Sequence, residues 1–197
     1  MMAFPDTVSM AAEPTQTVRE LLAISYANLA MAHAAYTARA ERYGRIHFMI
    51  RAKLKKGLLN DSMSMRPLAE DEKLKMILPR ACSYCGGEQS LSADHLIPSS
   101  RGGLNTGDNL VWACRSCNSS KGARDFLEWW FTKKEGFPPL LLLRRYLKTA
   151  WELARTAELL ETSLDGCAAL PLAFGRVPTK YPPPKELRLW IVPLPGD

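Results

Sequence analysis

The sequence predicts an α+β fold, mainly helical, in which a small cysteine-bounded ββα unit sits between two helical flanks. Three observations predict it. Four of the five cysteines fall in two Cys-x-x-Cys pairs, Cys82/Cys85 and Cys114/Cys117, separated by 28 residues. Between the pairs, two short alternating runs flank a loop rich in Gly, Ser and Asn. Outside them lie long Ala- and Leu-rich segments with helical spacing of apolar residues.

Taken in order, residues 1–14 read as a loose N-terminus. Residues 15–78 form an N-terminal helical region. Its first helix is expected over 15–40, with Val18, Leu22, Leu29, His33 and Tyr36 on one broad apolar face and no Pro or Gly to interrupt it. A second piece, RIHFMIRAKLKK, follows Gly44 and is expected to stop at Gly57. Pro67 is placed to open a third, PLAEDEKLKMIL, which Pro79 closes. The cysteine module occupies 79–135, its closing helix running on through ARDFLEWWFTKKEG to Gly136. A C-terminal helical region fills 136–165, starting after Pro138 and Pro139 and predicted to reach residue 162. Residues 166–197 form a Pro-rich tail laid extended over the body, with Leu187, Leu189, Trp190 and Ile191 as anchors and room for a short edge strand.

Composition bounds the function classes. With 47% apolar and 23% charged residues in 197, the chain is an ordinary globular one. The longest charge-free apolar stretch, 21–38, is broken by Ser25, Asn28 and His33 and falls short of the ~20 residues a bilayer requires. The N-terminus carries Asp6 and no basic leader, so a cytoplasmic protein is expected. In that compartment disulfides are rare, and paired cysteines are better read as metal ligands. Two knuckles of this kind complete a tetrahedral four-thiolate site. Such a site leaves no position open for water, so a zinc held by Cys82, Cys85, Cys114 and Cys117 is structural. Cys167 lies apart from both pairs and reads as a small hydrophobe.

Between the knuckles, SLSADHLIP reads as a strand delivering Asp94 and His95. SSRGGLNTGD reads as a loop and NLVWAC as a second strand. Asn118 then stands near a helix start, three residues before Lys121 and so on the same helical face. The ordered pattern CxxC, DHLIP, SRGG, DNLVWAC, RSCNSSKG resembles the HNH endonucleases of ββα-metal fold over residues 80–125. Carried over by position, the resemblance implies a catalytic set of His95, Asp94, Asn109 and Asn118, with Asn118 where many members have His. It implies that Asp94 and Asn118 ligate one divalent cation, and their hard oxygen donors suit Mg²⁺ or Mn²⁺. It also implies that the backbone leaves ideal strand geometry at Asp94–His95, because neighbours on a strand point to opposite faces. His95 fits the role of general base, since an imidazole near pKa ~6.5 is available to take a proton from water. Asn109 reads either as a loop fastener that aims His95 or as a simple turn residue. His33 and His47, on helices and without partners in sequence, are given no role.

The net charge is +6 and the pI near 9.1, which favours a polyanionic partner. Residues 80–125 hold five basic and four acidic side chains, so the module itself is near neutral. Residues 39–56 hold Arg39, Arg42, Arg45, Arg51, Lys53, Lys55 and Lys56 against Glu41 alone. Arg45, Arg51, Lys53, Lys55 and Lys56 therefore form a basic arm that either supplies phosphate affinity or is a solvated helix face. Arg144, Arg145 and Lys148 extend that track. Lys121, Arg101, Arg115 and Arg124 are the candidates to touch nucleic acid within the module.

The resemblance to HNH endonucleases implies metal-dependent hydrolysis of DNA, leaving 5′-phosphate and 3′-hydroxyl ends, with RNA as the alternative polymer. The long flanks suit a homodimer or a partner subunit, for instance in a bacterial antiphage complex. The competing reading is a non-catalytic zinc-stabilised adaptor, which needs the cysteines but not His95.

Overall fold

A computed structural model describes residues 17–65, 78, 80–165 and 172–192. The expected loose N-terminus, nearly all of the helix expected from Pro67, and Cys167 lie outside them.

Helix α1, Val18–Thr37, starts at a capping box. Thr17 Oγ1 accepts from the Glu20 amide at 3.2 Å, while Glu20 Oε2 accepts from the Thr17 amide. It is buried on most of its surface rather than on one face, Ser25 and Asn28 included. The reason is tertiary: α2, Arg45–Leu59, and α5, Leu140–Thr156, both pack against it, and the C-terminal tail crosses it. Asn28 Nδ2 donates to the Thr179 carbonyl at 2.8 Å and the Tyr181 hydroxyl to the Ser25 carbonyl at 3.1 Å. α2 runs two residues past Gly57, which is buried with the Met63 side chain set against it.

The central unit is a two-stranded antiparallel hairpin, β1 (Leu91–His95) and β2 (Leu110–Cys114), with Asp94 opposite Val111 and His95 opposite Leu110. β2 leads directly into α3, Arg115–Lys121. The chain then breaks at Gly122 instead of continuing as helix, and α4 restarts at Phe126–Lys133. Asp125 causes the restart. Its Oδ1 accepts from the Leu127 amide at 2.9 Å, and its Oδ2 from the Tyr146 hydroxyl on α5 at 2.9 Å. The fold is thus α+β and mainly helical.

α5 follows Pro139 as expected but ends at Thr156, short of residue 162. Beyond it the carbonyls of Leu160 and Thr162 accept from the Arg19 and Val18 amides, so the first turn of α1 claims the segment. The tail is extended with short 3₁₀ turns and has no strand among its described residues. Leu187, Leu189 and Trp190 are buried, Ile191 partly so. The tail carbonyls of Arg188 and Leu189 accept from the first amides of α5. One apolar core runs through α1, the hairpin, α4, α5 and the tail. Among the described residues no helix is long and apolar enough to cross a membrane.

Candidate functional site

The four thiols converge. The Sγ atoms of Cys82, Cys85, Cys114 and Cys117 all lie within 4.8 Å of one another, and Cys85 and Cys114 are 3.7 Å apart. A tetrahedral zinc with Zn–S near ~2.3 Å requires sulfur–sulfur edges of ~3.8 Å, so the cluster fits the ion. The first knuckle turns because the Cys82 amide donates to the Gly87 carbonyl and the Gly86 amide to that of Cys82. Gly86 takes φ +80 there, a left-handed conformation that favours glycine. In the second knuckle Cys114 closes β2 and its Sγ accepts from the Cys117 amide at 3.5 Å, capping α3. That bond draws the Cys114 thiol down to about 7, whereas burial pushes the Cys117 thiol well up. Lys134 Nζ lies 3.6 Å from Cys117 Sγ and over the Trp129 ring, a cation beside the excess negative charge of a four-thiolate centre.

The knuckles seat the hairpin so that its two faces differ. Ser92 and Asp94 point toward α3, and Asn118 Nδ2 donates to Ser92 Oγ at 3.0 Å. Asp94 is 7% exposed. Its Oδ2 accepts from the Tyr84 hydroxyl at 2.6 Å and its Oδ1 from Lys121 Nζ at 3.2 Å. His95 lies on the other face, partly exposed, with Nε2 at 2.6 Å from Asn105 Oδ1 in the connecting loop. With the Asn105 oxygen as acceptor, Nε2 carries the proton and Nδ1 the free lone pair. β1 keeps regular pairing through Asp94 and His95, and the two side chains have different partners.

Asn109 clasps the loop from inside. Its Oδ1 accepts from the Ile97 amide at 2.8 Å, and its Nδ2 donates to the carbonyls of Ile97 (3.0 Å) and Leu104 (2.9 Å). Gly103 leaves room for this clasp, since a Cβ there would sit 1.8 Å from the Ile97 oxygen. Residues 82–124 match the HNH endonuclease family. Beyond the family match, a CRISPR-associated endonuclease Cas9 of Corynebacterium diphtheriae is 42% identical over 52 residues, covering 24% of this chain and 5% of that protein. No solved structure matches the chain. The family match covers residues 82–124, and together with the Cas9 likeness it supports a nuclease-type function.

Around the HNH module the basic residues divide. Lys121, expected on the surface as a nucleic-acid contact, is 1% exposed and occupied with Asp94; a buried carboxylate requires such a partner. Burial draws its pKa down, against the pull of Asp94. Both Asp94 oxygens already have a partner, Tyr84 and Lys121, so a cation there would have to take the place of the Lys121 ammonium. Arg101 pairs with Glu128 at 3.2 Å, Arg124 Nε donates to the Lys121 carbonyl, and Arg115 is exposed.

The extended track is spent internally. Arg144 is buried over the Tyr26 ring, Arg145 donates to the Leu110 carbonyl at 2.6 Å, and Lys148 pairs with Asp108. On α2, Arg45, Lys53 and Lys56 are exposed and Lys55 partly so. Arg51 Nε donates to Asn28 Oδ1 at 2.6 Å. Ile46 and Met49 share the exposed surface of α2, so the arm is mixed rather than purely basic.

Tyr84 and Asn105 were not singled out in sequence. The signal for Tyr84 was its place inside the first knuckle, CSYC, which ties it to the hairpin; there it packs on Phe126 and Trp129. Asn105, in a polar loop, carried none.

Proposed function

We propose that the chain is a metal-dependent endonuclease that hydrolyses DNA phosphodiesters to 5′-phosphate and 3′-hydroxyl ends. The observation that carries this reading is His95. Within the family-matched stretch it stands partly exposed at the end of β1, with Nε2 at 2.6 Å from Asn105 Oδ1, a contact that leaves Nδ1 as the proton acceptor when Nε2 donates. In the proposed mechanism His95 takes the proton of a water that attacks phosphorus, and the bond to the 3′ oxygen breaks. Asn109 holds the loop that carries Asn105 and is thereby a positioning residue for His95. Zinc on the four cysteines is structural. A Mg²⁺ or Mn²⁺ ion would be the catalytic cation and would supply neutralisation of charge developing on the phosphate. Asp94 and Asn118 are its ligand candidates, both on the α3-facing side, and Lys121 must leave Asp94 to admit it. Arg101, Arg115 and Arg124, with Arg45, Lys53, Lys55 and Lys56 on α2, supply phosphate affinity. The protein works in the cytoplasm, as a homodimer or as the nuclease subunit of a bacterial antiphage complex.

The test is cleavage of supercoiled plasmid with Mg²⁺ or Mn²⁺, comparing wild type with His95→Ala at matched zinc content. A general base is worth ~10²–10⁴ in rate, so His95→Ala is expected to lose at least about 100-fold. Equal cleavage by both removes His95 from the mechanism. Silence from both favours the adaptor reading, or a subunit that waits for its partner.

A further inference from the structure

The outer face of the hairpin, opposite α3, carries a cavity of about 370 Å³ that the proposed mechanism does not use. We propose that it is a nucleobase-binding subsite, in which one base of a single-stranded nucleic acid stacks on Trp112. This rests on the reading of the chain as acting on nucleic acid, and it names the form of the substrate.

Four observations lead there. Trp112 is 42% exposed in the middle of β2, where an apolar side chain of that size gains nothing from water. It is opposite Ala93, the small residue that leaves the cavity open, and His95 follows Ala93 on the same face. The diagonal from Trp112 to His95 is thus the ~7–8 Å of adjacent cross-strand positions, so a nucleotide near the cut is in reach of both. Trp190 from the tail, 6% exposed, also lines the cavity.

The charge is right as well. The Arg80 guanidinium lies 5.1 Å over the Trp112 ring, a cation placed for a phosphate that flanks a bound base, while Arg145, which lines the cavity, is held by the Leu110 carbonyl. Two aromatic walls with a cation beside them form the usual stacking platform for single strands, and the volume is within the ~300–1,000 Å³ of small-ligand sites. A duplex keeps its bases stacked on one another, so the cavity selects a single strand or an unpaired nucleotide.

The experiment measures binding of a fluorescent single-stranded oligonucleotide, by anisotropy, to the full zinc-loaded chain without added Mg²⁺ or Mn²⁺. The same strand made of abasic nucleotides is the control. Trp112→Ala is expected to weaken binding of the base-bearing strand about 5- to 150-fold, the equivalent of one stacked base. Trp112→Phe is expected to keep most of the affinity. On the abasic strand, wild type and Trp112→Ala are expected to bind alike. Unchanged affinity in Trp112→Ala, or an equal loss on both strands, overturns the proposal. So does no binding of either strand. Should Trp112→Ala fail to fold, the wild type decides alone: equal affinity for the two strands overturns it. Base-dependent binding with no cleavage of either the plasmid or the single strand under Mg²⁺ or Mn²⁺ keeps the subsite and favours the adaptor reading over the nuclease. Cleavage with base-independent binding does the reverse.

Discussion

Replacing Asn109 by Ala removes three hydrogen bonds from a fully buried side chain. Their worth differs by site. Leu104 is exposed, so its carbonyl turns to water at little cost. Ile97 is buried, and both its N–H and its C=O lose their partner. An orphaned buried polar group costs ~1–3 kcal/mol, so Asn109→Ala is expected to destabilise by about 2–6 kcal/mol. That is a large share of the ~5–15 kcal/mol that holds a domain folded. Asn109→Asp sharpens the test, being the same size. Its carboxylate still accepts from Ile97 but sets negative oxygen at 2.9–3.0 Å from two carbonyl oxygens. At neutral pH it is expected to be no more stable than the Ala variant, and to recover in acid, where a protonated carboxyl donates again. The assay is urea unfolding followed by far-UV circular dichroism, at matched zinc content and with midpoints compared at a common slope. A loss under about 1 kcal/mol for Ala, or an Asp variant as stable as wild type at pH 7, refutes the clasp.

Three further outcomes are expected. Lys121→Met leaves the Asp94 carboxylate buried beside Tyr84 alone and is expected to cost about 3–5 kcal/mol, with Asp94→Asn in the same chain restoring much of it; a double-mutant cycle with no coupling refutes the pair. Asp125 has a carboxyl raised by burial, against the lowering effect of Tyr146, the Leu127 and Glu128 amides and Arg101. A folded-state pKa above the unfolded one gives stability that is complete below the unfolded value and lost as pH rises through the folded one. Asp125→Asn is therefore expected to flatten the stability profile above about pH 4, as read from urea midpoints between pH 4 and 8; parallel profiles refute this. Cys82→Ser is expected to abolish zinc binding, measured by metal analysis, and with it the fold of the hairpin; a folded, zinc-free variant refutes the structural role.

The order of the elements was legible because its signals are local. Knuckle spacing, the Gly/Asn-rich loop and Pro139 place the hairpin and the last helix without reference to anything distant. The ends were less legible. α5 stops at Thr156 because the start of α1 takes the carbonyls of the segment beyond it, and α1 is buried nearly all round because three other segments cover it. Neither fact has a signature within its own stretch. The same holds for charge. Lys121, Arg144, Arg145 and Lys148 read as surface cations, yet each is matched to a partner brought from elsewhere in the fold.

By itself, then, the sequence determined the chemistry on offer: four thiols in two pairs, an Asp-His dipeptide between them, Asn109 and Asn118 downstream of it, and an excess of positive charge. Residue type and short-range spacing suffice for that, since a side chain brings its donors and its pKa wherever it goes. Tertiary structure alone decided what each group faces. It turned Asp94 inward to Tyr84 and Lys121, set His95 outward on Asn105, and closed a cavity between Trp112 and a tryptophan from the tail. Those partners lie up to 78 residues apart in the chain, and only the burial of the shared core brings them together.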